Sequence, residues 1–569
     1  MSRYSMWFVV GVTALVLVWS SFGTAQAKPV TDSDLMAPAG NEWLHGNGSL
    51  DGTRYSTLSQ INSGNASGLK VKWISSLGGK TDAQATPIYH DGVLIIPQDN
   101  KLHGFDAKTG RLLWKNETEM PEDWGGQFVD FFTGKHRMAA ITGESAIYLS
   151  NECSIHAVNY KTGEGVYRVK IDRIYPKNFE KSSDGNGYFC TSGPLAIPGG
   201  KLIVNMNATD TGGLQGYVQG HSAKDGSQLW AANMIPGPGE PGSDSWPGDS
   251  RIYGGAGPWI VGSWDADLKQ YAVGSANAYP WSPYGDRDGR GAGNMRNEGA
   301  AAIVAINTDT GKVNWRYTVV PGDPWDYDAM QTPMLITIDG KKMIVQPNKT
   351  GYIHVLDAKT GKFQRAMQFS DKITWAKGYD SSGNPNWDFP IPEEGKTVEV
   401  WPSLLGGVNM YPNAYNPKTG LIYTAGREAG MSYVFEKVQV VSNVRNLGAS
   451  FEVLPGGKEV ERGNDLKSGK EKWRYETAKA GYSGGMLTTA GNLTVWATQG
   501  GEMTVADATT GKVLFQLAAN ATSKSGPMTY SVDGKQMITF AFGGTGGFGS
   551  VADDWHNTNN GSILVTLGQ

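Results

Sequence analysis

Residues 254–281, GGAGPWIVGSWDADLKQYAVGSANAYPW, lead through INTDTGKVNW at 306–315 to QPNKTGYIHVLDAKTGK at 346–362. Two strand-turn-strand runs here close on the same Lys/Asp-Thr-Gly-Lys turn, and a Trp/Asp/Tyr-rich loop joins them. The glycine supplies the positive φ of a tight hairpin, and the Asp or Asn before it caps the bend. The turn recurs: DAKTGRLLW ends at Trp114, NYKTGEGVY at Tyr167, AKDGSQLW at Trp230, DLKSGKEKW at Trp473 and DATTGKVLF at Phe515, with a related NPKTGLIY at 416–423. The turn glycines are Gly110, Gly163, Gly226, Gly311, Gly361, Gly420, Gly469 and Gly511. Such a repeat, with an aromatic at a near-fixed offset, predicts an all-β, eight-bladed β-propeller of antiparallel four-stranded blades. The aromatic is expected to lie flat between neighbouring blades.

Composition agrees. The 569 residues include 77 Gly and 19 Trp, with only 18% charged, which suits short strands and tight turns rather than long amphipathic helices. A repeat array grows by adding blades, so residues 28–569 read as one domain. The net charge of -4 and the lack of a Lys/Arg block give no reason to expect nucleic acid.

Residues 1–27 read as a signal peptide: Arg3 is basic, Met6 to Val18 is apolar, and Ala25-Gln26-Ala27 suits signal peptidase. The expected location is the periplasm. In an exported chain Cys153 and Cys190 are open to three readings: a structural bridge, two buried thiols or a redox pair. Neither belongs to a CxxCH haem-attachment sequence, and the eight histidines show no metal-ligand spacing.

The segments GSANAYPW, PGDPWDYDAMQ, QPNKTGYIHVLD, GGVNMYP, GGMLTTAG and FGGTGGFG, in this order, resemble the pyrroloquinoline quinone (PQQ)-dependent alcohol dehydrogenases. The resemblance implies an exported quinoprotein that oxidises an alcohol or aldehyde and passes electrons to a separate cytochrome c, with a homodimer as the family habit. It implies PQQ on the propeller axis beside a calcium or lanthanide ion that acts as Lewis acid. Carried over by position, Asn277 matches a metal ligand that also borders the cofactor, Lys349 the basic residue at the quinone carbonyls and Asn409 a quinone-binding amide. Arg137 and Thr191 are candidates for the quinone carboxylates.

Other positions depart from the family pattern. Thr211 stands where a metal-binding Glu is expected, Arg296 where the catalytic Asp is expected, Arg251 where an aromatic floor is expected, and Gln84 replaces a carboxylate. The adjacent cysteine pair of the family is absent. Two arginines at those places would oppose a divalent cation. A rebuilt metal set would be Asp210, Asn277 and Glu298, with Glu298 and Arg296 as the catalytic candidates. Trp325, Asp326 and Asp328 read as a structural turn. The alternative functions are different chemistry in an Arg/Lys-lined pocket, or a binding protein without turnover.

Overall fold

A computed structural model describes residues 27–78, 83–119, 135–172, 190–207, 214–247, 250–284, 296–388, 393–439, 446–477, 484–519, 521–543 and 561–569. Eight sheets of four antiparallel strands form among these residues, and one gains a fifth, parallel strand from Tyr55–Ser56. The first blade shows the pattern: Ile88–His90, Val93–Gln98, Lys101–Asp106 and Leu112–Glu117 pair in chain order. The fourth strand is the most exposed, as expected for the outer edge of a blade.

The repeated turn joins the third and fourth strands, and its aromatic ties each blade to the next. The indole N–H donates to a carbonyl in the following blade's turn: Trp73 to Ala107 at 3.2 Å, Trp114 to Tyr160 at 3.0 Å, Trp230 to Thr308 at 3.0 Å, Trp315 to Ala358 at 3.2 Å and Trp473 to Ala508 at 3.0 Å. Gly163 has φ of 75°, and a Cβ there would stand 2.8 Å from the Trp114 ring. Glycine is needed at this turn both for the left-handed backbone and for the flat approach of the indole.

One repeat lies elsewhere. Gly420 follows the short first strand Ala414–Asn416, so NPKTG turns between first and second strands. The blade formed by 528–568 has no third-to-fourth turn, because its outer strand is Lys70–Ser76, paired antiparallel with Ile563–Gly568. This pairing of strands from opposite parts of the sequence closes the ring and removes its open edge.

The segment 43–56 runs inside the ring. It bridges Tyr89 through Trp43, and its carbonyls at Leu50, Asp51, Thr53 and Arg54 accept from the amides of Trp264, Leu335, Tyr415 and Thr488. The segment thereby touches the first strands of five blades from inside the ring. Arg54 is fully buried there, donates to the carbonyls of Gly46, Met486 and Pro527, and burial lowers its guanidinium to about 9.

The Gly- and Pro-rich segment 236–253 contains a turn of 3-10 helix at Ser243–Ser245 and one helical turn at Ser250–Tyr253. Residues 1–26, most of the insertions at 119–136 and 284–297, and most of FGGTGGFG lie outside the described residues.

Candidate active site

The end of the propeller where first strands begin and second strands finish gathers most of the predicted cofactor residues. Arg137 precedes Ala140–Thr142, Thr191 precedes Pro194–Ile197, and Asn409 precedes Ala414–Asn416. Asn277 and Lys349 follow the second strands Gln270–Gly274 and Lys341–Pro347. Antiparallel pairing brings these two kinds of loop to the same end of the axis.

There they form a closed circuit. The Arg137 amide donates to the Thr191 carbonyl at 2.9 Å, and its Nη1 donates to Thr191 Oγ1. The Arg137 guanidinium lies 4.9 Å over the ring of half-buried Trp259. Trp259 Nε1 donates to Asp328 Oδ2 at 3.2 Å, Lys349 Nζ donates to the same oxygen at 3.1 Å, and the Asn277 amide donates to Oδ1 at 2.7 Å. Lys349 Nζ also donates to the Asp326 carbonyl at 2.7 Å and stands 3.5 Å from Asp326 Oδ1. The Lys349 carbonyl accepts the Gly407 amide at 2.9 Å, which brings in Asn409. Asn409 Oδ1 accepts the Met410 amide at 2.7 Å, and Arg137 Nε returns to Met410 Sδ at 3.5 Å.

Local chemistry holds the pieces. Asp323 accepts the amides of Trp325 at 2.9 Å and Tyr327 at 2.6 Å, folding the loop that presents Asp326 and Asp328. Asp326 sits at φ of 61°, a conformation that short polar side chains tolerate. A Cβ on Gly406 would stand 2.6 Å from the Lys349 Cα, so only glycine lets these backbones meet. Lys349 is 3% exposed, and its ammonium is sustained there by Asp326 and Asp328. Beside Arg137, His136 is buried and accepts the Asn100 amide at 3.0 Å through Nε2. Burial, with the charge of Arg137 adding to it, lowers this imidazole to about 3.

The disulfide Cys153–Cys190 resolves the three readings of the cysteines in favour of a bridge, one residue from Thr191. The Asp328 reading changes too. Asp323 makes the turn, whereas Asp328 joins Lys349 and Asn277 in the site.

Arg296 and Glu298 occupy different ground. Arg296 Nε meets Glu298 Oε1 at 2.7 Å, and its Nη1 donates to Asn384 Oδ1 at 2.7 Å. Glu298 Oε2 accepts Thr318 Oγ1 at 2.7 Å, while its amide donates to Ser245 Oγ and its carbonyl accepts Trp246 Nε1. The pair thus staples the 236–246 insertion and the 376–387 hairpin to the rim. Arg251 is on the helical turn Ser250–Tyr253, and its carbonyl accepts Gln215 Nε2 at 2.6 Å. The flat aromatic of the site is Trp259, which sequence reasoning did not single out although it lies within GGAGPW. Asp210 and Thr211 lie outside the described residues. Among the described residues no three His, Cys, Asp or Glu side chains are placed to hold a metal.

The buried Lys349 ammonium, the Arg137 guanidinium and the Trp259 indole converge at one end of a β-propeller. The chain belongs to the PQQ glucose/ethanol/alcohol dehydrogenase β-propeller family, whose model matches residues 43–364 and 461–538. Quinoprotein alcohol dehydrogenase PedH of Pseudomonas putida is 30% identical over 587 residues, spanning 96% of this chain and 94% of that protein. The 1-butanol dehydrogenase (cytochrome c) of Thauera butanivorans is 28% identical, spanning 95% of this chain and 78% of that protein. The crystal structure of quinohemoprotein alcohol dehydrogenase from Comamonas testosteroni superposes with a TM-score of 0.83 at 26% identity, over 94% of this chain and 82% of that one.

Proposed function

We propose that the protein is an exported PQQ-dependent dehydrogenase that oxidises an alcohol or aldehyde and passes electrons to a separate cytochrome c. The observation that carries this reading is the axial circuit of Arg137, Thr191, Trp259, Asp328 and Lys349. PQQ is a flat ortho-quinone with three carboxylates, and the donor set fits it: a guanidinium and hydroxyl for carboxylate, an indole face for the ring, and a buried ammonium for ring oxygens. PQQ, when bound, supplies the acceptor of one hydride, that is, of two electrons and a proton.

The chain's own residues do the rest. Arg137 and Thr191 hold carboxylate, Trp259 fixes the ring plane, and Lys349, Asn277 and Asn409 orient the polar edge. The segment 43–56 fills part of the ring's interior with the buried Arg54. Glu298 is the candidate acceptor of the substrate's hydroxyl proton, with Arg296 at its side. The acidic set for calcium or a lanthanide is not assembled among the described residues, so no step is assigned to a metal. The sequence carries no CxxCH, which supports a separate cytochrome c as acceptor, and the Thauera relative is named for cytochrome c. The commitment of Glu298 to Arg296 and Thr318 favours a second reading, a propeller that holds an anionic ligand without oxidising substrate.

Titration of the purified chain with PQQ, with and without calcium or lanthanum, separates these readings. Binding with dye reduction in the presence of alcohols or aldehydes supports the dehydrogenase, binding without reduction supports the second reading, and no binding overturns both.

A further inference from the structure

Asp328 joins two neighbouring blades: Trp259 and Asn277 flank the first two strands of one, and Lys349 follows the second strand of the next. It is 5% exposed, and its two oxygens receive three donors: the Asn277 amide on Oδ1, and Trp259 Nε1 and Lys349 Nζ on Oδ2. We infer that Asp328 is the positioning residue of the axial site, fixing the indole plane of Trp259, the ammonium of Lys349 and the backbone of Asn277 through one carboxylate. The assignment rests on the axial circuit being the cofactor site.

The chemistry makes this role hard to replace. Trp259 is restrained at its N–H by Asp328 and on its face by Arg137, so the ring can neither spin nor tilt freely. Lys349 is desolvated, and a buried ammonium keeps a single position only when its donors are matched. Asp326 contributes differently: it meets Lys349 chiefly through its main-chain carbonyl at 2.7 Å, with the carboxylate oxygen farther off at 3.5 Å. An amide at 326 preserves the closer contact. An amide at 328 retains one acceptor oxygen but turns an NH2 toward the other donors, where it can accept nothing.

The test compares Asp328→Asn with Asp326→Asn. In the apo-protein, acylation of Lys349 by an amine-reactive reagent, followed by mass spectrometry, is expected to run about ten-fold or more faster in Asp328→Asn than in the parent, and within about two-fold of it in Asp326→Asn. The PQQ dissociation constant should rise by about 10- to 100-fold in the first variant and by less than about three-fold in the second. If Asp328→Asn does not fold, the double variant Asp328→Asn/Lys349→Met, which carries no orphaned ammonium, is expected to fold and, because Trp259 and Asn277 also lose an acceptor, to bind PQQ at least about three-fold more weakly than Lys349→Met alone. Equal Lys349 labelling in the parent and Asp328→Asn, or equal PQQ affinity in Lys349→Met and the double variant, overturns the inference. Failure of the parent to bind PQQ would count against the cofactor reading alone, since the labelling experiment needs no cofactor.

Discussion

The axial circuit and the rim pair Arg296–Glu298 contain the same kinds of side chain and do different work. On the axis, Lys349 and Asp328 are buried, their partners come from several blades, and a half-buried indole stands beside them. On the rim, the side chain of Arg296 is 42% exposed, and its partners are insertions rather than blades. Position in a family pattern pointed to the rim pair as catalytic, whereas burial and convergence mark the axis. A charged group acquires its chemistry from what surrounds it, and an exposed ion pair is worth little compared with a desolvated one.

The largest expected effect breaks the axial side directly. Lys349→Met leaves two buried carboxylates without their cation and should cost about 3–5 kcal/mol in urea denaturation, with PQQ affinity lost alongside. Removing the Cys153–Cys190 bridge by Cys153→Ser releases a crosslink across 37 residues, expected to cost about 3–4 kcal/mol. Because the bridge ends beside Thr191, hydrogen exchange should rise at 190–197 and stay unchanged at 296–301.

Acid should also divide the two regions. His136 is held neutral in the folded chain at about 3, so the unfolded chain binds its proton first. Its stabilising contribution is complete above about pH 6.5 and is lost as pH falls toward 3, about 2 kcal/mol by pH 5. His136→Gln, which keeps an acceptor for the Asn100 amide, should flatten that part of the melting temperature profile between pH 7 and 5. The smallest effect belongs to the rim: Glu298→Gln is expected to cost about 0.5–1 kcal/mol and to leave PQQ affinity within about two-fold. A large loss of PQQ affinity in Glu298→Gln would erase the distinction between axis and rim.

Much of the fold was legible because its signals are local. Lys-Thr-Gly turns and the tryptophans after them report a backbone conformation and a packing partner within a few residues, and the docked indoles bear that reading out. Gly420 misled for the same reason, since the same tripeptide also serves a first-to-second turn. In the site, Arg137 and Thr191 proved to be direct partners and Lys349 proved to be buried at the axis. Trp259 and Asp328 gave no comparable signal, because an indole in GGAGPW and an aspartate in WDYD look like ordinary loop chemistry until their neighbours are known.

The sequence by itself determined the repeat, the turn chemistry and the family to which the chain belongs. Only the tertiary structure decided that Asp328 unites Trp259, Asn277 and Lys349, that the cysteines bridge, and that Arg296 and Glu298 pair with each other and with Asn384 and Thr318. The physical reason is that a turn is encoded within a few consecutive residues, whereas the axial site is made where loops from separate blades meet, and no single stretch of chain contains those contacts.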